Sequence, residues 1–181
     1  MTTIYNFAVL FSFVAPFTVL IYLAGLLFIR PPRTVLVASL LGGLAMGLLN
    51  MLTDLAAYHA HWWHYTLKEL ILHVPVPFYL TPVLIYGSLA YLLIWRLWPG
   101  KAGWVARALL FGLPVFGIVR DIFSVQVGAS YIAWDSILAI PVTVVMWLLM
   151  FYAGFFLFRS LAPSSKASPE KISISSQKAP N

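Results

Sequence analysis

Three ionisable residues stand within otherwise apolar sequence: Asp54, Arg120 and Asp121. A charge surrounded by apolar neighbours costs a few kcal/mol or more unless it is paired, so such residues mark function by default. Neighbouring residues on a helix point about 100° apart. Arg120 is therefore expected to reach a carboxylate on another helix, with Asp54 as its partner, and Asp121 to sit in a less compensated place. An arrangement that leaves one carboxyl ionised and the other neutral supplies a general acid at neutral pH. Asp54, Asp121 and Arg120 are the candidate catalytic residues.

A second group lies close by in Thr53–Pro77, where aromatic and imidazole side chains crowd together. If the helix that carries Asp54 continues, Asp54, Tyr58, His61 and Tyr65 fall within about 60° of one another on one face. Tyr58, His61, Trp62, Trp63 and Tyr65 are the candidate substrate-binding residues. Trp and Tyr also gather at membrane interfaces because each joins an apolar ring to a polar tip, which accounts for Tyr131 and Trp134 as well. His59, His61, His64 and His73 show no zinc-type ligand spacing, so no metal is expected. The chain has no cysteine, which excludes disulfides, thiolate clusters and cysteine nucleophiles. No cofactor is implied.

These residues must be positioned by helices in lipid. With 62% apolar residues, 9% charged residues and a mean hydropathy of +0.93, the chain lies far from soluble composition, which is about 25% charged. Stretches 7–29, 34–53, 77–95, 105–127 and 136–158 each match the roughly 20 apolar residues that cross about 30 Å of hydrocarbon. The pattern predicts an all-α, polytopic membrane protein: one bundle of five transmembrane helices over 1–161, then a disordered tail over 162–181 rich in Ser, Lys, Pro and Gln. Thr66 and Glu69 have capping-box spacing, which predicts a short interfacial helix near 67–73 ending before Pro75. Asp135 is placed to cap the fifth helix. Ser39, Gly43 and Gly47 form a small-residue seam for close packing inside the bundle. Pro114, between Gly112 and Gly117, is the predicted kink.

Nine of the eleven Lys and Arg residues fall in the loops that follow spans one, three and five, or in the helix ends beside them. The positive-inside rule then puts the N terminus outside and the C terminus in the cytoplasm, as an odd number of spans requires. The first span should remain as a helix: no basic region precedes it, and Arg30-Pro31-Pro32-Arg33 follows it where a cleavage site would lie. The net charge of +6 is scattered over helix ends and tail, so it anchors the protein to an anionic leaflet and does not point to nucleic acid. The expected location is the plasma (cytoplasmic) membrane. Oligomeric state has no signature.

The stretch containing Asp54, Tyr58, His59, Trp62, Trp63 and Tyr65, followed by Val74-Pro75, resembles the lycopene cyclase domain of carotenoid biosynthesis. The resemblance covers about 25 of 181 residues and carries over Asp54 and Trp63. Where that family has two glutamates after the proline, this chain has Val76, Pro77 and Phe78. The resemblance implies a small helical membrane protein that closes a ring on an isoprenoid by protonating a double bond, without redox change. The expected partners are the lipid bilayer and an apolar isoprenoid or lipid ligand. The competing expectation is a non-catalytic transport or assembly subunit whose buried charges only fix the helices.

Overall fold

A computed structural model describes residues 7–68, 70–128 and 131–163. Of the described residues 77% are helical, and among them are five helices long and apolar enough to cross a membrane. These are α1 (Phe7–Ile29), α2 (Arg33–His59), a third composite helix (Val76–Leu97), α4 (Gly103–Gln126) and α5 (Ala139–Leu161). The third helix opens as a 3-10 turn at Val76–Tyr79, widens to a π-helix over Pro82–Leu89, and ends as α3 (Ala90–Leu97). Large apolar side chains face outward: Phe13 is 75% exposed and Phe28 78%. An outward apolar surface suits lipid as the surrounding solvent.

The central helix is α2, which packs most extensively on α5 and on the π-helical segment. Its seam of small residues does this work. A side chain added at Gly43 would collide with the Val83 carbonyl, and one at Gly42 with the Gly154 carbonyl of α5. Ser39 extends the seam with a buried hydroxyl chain, sharing a hydrogen bond with Ser88, which in turn meets Tyr22 of α1, each at 2.9 Å. Buried hydroxyls that satisfy one another hold three helices together without leaving a polar group unpaired in an apolar medium.

Pro114 is buried within α4, which continues through it. Having no N–H, proline strips the carbonyl four residues earlier of its helical partner. That carbonyl belongs to Leu110, and the Tyr152 hydroxyl of α5 donates to it at 3.3 Å.

At one pole the segments after α2 and α4 meet in a two-stranded antiparallel ribbon, β1 (Trp63–Tyr65) and β2 (Ile132–Trp134), pairing Trp63 with Trp134 and Tyr65 with Ile132. This ribbon replaces the interfacial helix expected near 67–73, whose described residues are not helical. Thr66 cannot cap a helix there, because its amide and hydroxyl both donate to the Tyr131 carbonyl, at 2.8 and 3.1 Å. Leu72 and His73 then turn through positive φ (51° and 65°) into Pro75. Glu69 and most of the expected tail lie outside the described residues. Asp135 does not cap α5 either. It pairs with His64 at 2.8 Å, while the Ser136 hydroxyl accepts from the Leu138 amide.

Candidate functional site

Beneath the ribbon lies a cavity of about 370 Å³, walled by α2, the third helix, α4, α5 and both strands, with Val14 of α1 at one side. The ribbon supplies its roof through strand alternation, in which residues two apart share a face. Trp63 and Tyr65 therefore point inward from β1, with Ile132 and Trp134 opposite on β2. His64 takes the other face and meets Asp135 there.

Asp54 lies five residues before the end of α2, about 7.5 Å below that end. It is 4% exposed. Its carboxylate accepts three hydrogen bonds: from the Trp63 indole at 3.1 Å, from the Tyr65 hydroxyl at 2.7 Å and from the Tyr79 hydroxyl at 2.6 Å. Two of these donors come from the ribbon and the third from the 3-10 turn, so one carboxylate ties the roof to two helices.

The expected bond between Arg120 and Asp54 does not form. Arg120 folds back on its own neighbour, giving Nε and Nη2 to Asp121 Oδ1 at 2.9 and 2.6 Å. The 100° between adjacent helical positions separates Cβ atoms, but an arginine stem is long enough to span that angle. Nη1 donates to the Tyr86 hydroxyl at 2.8 Å, and the guanidinium lies over the Tyr86 and Trp147 rings. Trp147 closes the group by donating from its indole to Asp121 Oδ2 at 2.6 Å. Asp121 is thus the more heavily compensated acid, the reverse of expectation, and the cluster joins α4 to the third helix and α5.

Five of the eight expected site residues therefore line the cavity: Asp54, Arg120, Asp121, Trp63 and Tyr65. Tyr58, His61 and Trp62 do not. The reason is that α2 stops at His59, so the supposed helical face breaks after Tyr58. Tyr58 stacks on His73 with ring centroids 4.0 Å apart. His61 sits exposed in a turn at φ 54°, and Trp62 packs beside the core. Among the described residues no three His, Cys, Asp or Glu side chains converge. Residues that sequence reasoning passed over are Tyr79, Tyr86 and Trp147. The first two are seven apart on the third helix, a spacing that repeats one helical face and was the available signal.

Burial of the Tyr65 phenol raises its pKa well above the usual 10, and the Asp54 carboxylate beside it adds to the shift. An acid whose folded-state pKa is raised contributes stability that is intact below the unfolded value and lost as pH climbs past it. Alkaline titration followed by phenolate absorbance at 295 nm should leave Tyr65 protonated above pH 10 until the fold fails. The assignment comes from comparison with Tyr65→Phe. If that variant removes a phenol titrating near 10 in the folded protein, the buried contact with Asp54 is absent.

Comparison with family models, with curated proteins and with solved structures finds no match for this chain. The fold and the cavity therefore carry the functional argument by themselves.

Proposed function

We propose that this is an integral protein of the cytoplasmic membrane, with its N terminus outside and C terminus in the cytoplasm, that binds the end of a long isoprenoid or lipid chain in the cavity. Lys and Arg in the connections opposite the ribbon support the orientation. The observation that carries the ligand reading is the cavity itself: ring-lined, set between helices just below one pole, and holding two carboxylates in unlike surroundings. A bundle site that is mostly apolar with a few convergent polar groups is the usual form of a small-molecule pocket.

The chemistry proposed is isomerisation or ring closure by proton transfer, without redox change. Asp121 is held by a guanidinium and an indole, whereas Asp54 has only neutral partners. Asp54 is therefore the carboxyl left to gain and lose a proton, with Arg120 keeping Asp121 ionised. Trp63, Tyr65 and Tyr131 line the cavity, and an aromatic lining favours positive charge developing on a bound chain.

The second reading, a non-catalytic transport or assembly subunit, is favoured by the way Tyr86 and Trp147 knot Arg120 and Asp121 to neighbouring helices. Solvent extraction and mass spectrometry of the gently purified protein should find a bound isoprenoid or lipid, and Thr143→Trp, which fills the cavity, should lose it. Protein carrying no such molecule, or equal amounts in the filled variant, would overturn the binding reading. Expression in a lycopene-accumulating host separates the two readings: unchanged pigment removes the ring-closing form.

A further inference from the structure

We infer that the cavity selects cationic amphiphiles, apolar chains that end in a quaternary or protonated amine. This rests on the reading of the cavity as a binding site for an apolar chain, and adds the charge of the group that enters it.

Two carboxylates, Asp54 and Asp121, and one guanidinium, Arg120, are the ionisable acids and bases of the wall apart from tyrosine phenols, which leaves the site one negative charge in excess when both carboxylates are ionised. The excess belongs to Asp54. Its hydrogen-bond partners are an indole and two phenols, all neutral, so whenever Asp54 is ionised its charge is met by no cation. Arg120 spends its charge on Asp121, and among the described residues no cationic side chain comes within ion-pair distance of Asp54. A buried carboxylate balanced only by neutral donors is costly in an apolar medium, and a cation entering beside it lowers that cost.

The walls favour the same sign. Aromatic faces carry negative potential and attract cations. The protein already uses this once, with Arg120 lying 5.4 and 5.5 Å from the ring centres of Tyr86 and Trp147. On the Asp54 side, Tyr65 stacks on Tyr131 with centroids 6.0 Å apart, and Trp63 completes a second aromatic surface within reach of the carboxylate. An anionic headgroup would meet Asp54 and these ring faces together. A carboxylate or phosphate end is therefore rejected where an ammonium is held.

The test uses the full chain in maltoside micelles, titrated with dodecyltrimethylammonium and with its neutral carbon isostere, a chain of equal length ending in a tert-butyl group. Tryptophan fluorescence reports binding, and Thr143→Phe, which fills the cavity without adding an indole, gives the background. The expected wild-type preference for the cation is about tenfold. Asp54→Asn should bring the ratio towards one, while Arg120→Gln, which adds to the negative excess, should raise it. Each ratio is taken within one preparation, so partial loss of folded protein cancels and the wild-type ratio alone is decisive. Equal wild-type affinities above background would leave a binding cavity but overturn charge selection. So would tighter binding of dodecyl sulfate. Failure of both probes to exceed background would overturn the binding reading as well.

Discussion

Replacing Asp54 with alanine is expected to cost about 3–5 kcal/mol of folding stability, the range for breaking a buried charged network. The substitution strands three donors at once: the Trp63 indole and the Tyr65 and Tyr79 hydroxyls. Trp63 is 3% exposed and Tyr79 8%, so neither can turn to bulk water without moving the ribbon or the 3-10 turn. Each stranded buried group costs about 1–3 kcal/mol, less where water enters the cavity. Asp54→Asn should be milder, because its amide oxygen still accepts and its amide hydrogens can donate to a tyrosine oxygen. Thermal unfolding in detergent reads the difference. The mechanism makes a sharper demand in a double-mutant cycle: Tyr79→Phe should cost about 1 kcal/mol in the wild type and much less once Asp54 is alanine. Additive losses would show that Tyr79 and Asp54 do not act as a unit.

The five helices were legible because their signal is additive: roughly twenty apolar residues in a row override any single misplaced polar group. The seam at Ser39, Gly43 and Gly47 was legible too, since small residues four apart share one face whatever partner lies against it. The roof of the cavity was not. Trp63–Tyr65 and Ile132–Trp134 are strands of three residues each, too short to establish an alternating period. The capping-box spacing of Thr66 and Glu69 pointed the wrong way. What decides that segment is pairing with residues nearly seventy positions later, which local periodicity does not contain. The misassigned partner of Arg120 has a different origin. Helical geometry fixes where a side chain starts, and a long side chain ends wherever its hydrogen bonds are best satisfied. For Arg120 that place is the next residue, with Tyr86 and Trp147 enclosing it. Those aromatics were passed over because nothing near them in the chain is charged.

Enlarging Gly43 should damage the fold as severely as any change outside the site. An α-helix packed against another usually leaves room for a methyl group, because side chains separate the two backbones. Here the π-helix over Pro82–Leu89 brings the third helix so close to α2 that a side chain on Gly43 would meet the Val83 carbonyl and the Ser88 amide nitrogen, both backbone atoms. From the other side, Gly87 abuts the Gly43 Cα. Neither atom can rotate away as a side chain would. Relief requires α2 to withdraw from the third helix, which would pull apart the Ser39, Ser88 and Tyr22 hydroxyl chain and shift Tyr79 and Tyr86 against the cavity. Overpacking a tight contact typically costs about 1–3 kcal/mol, so Gly43→Ala should lower the melting temperature clearly, and Gly43→Val should yield little folded protein. Gly112, with nothing within 4 Å of an added methyl, is the control: Gly112→Ala should hold or raise stability, since alanine is favoured over glycine in a helix by about 1 kcal/mol. Because the collision is with backbone, enlarging the groove by Val83→Ala should not rescue Gly43→Ala. A rescue would mean that the obstruction is the valine side chain, and that the π-helical backbone does not set the distance between these two helices.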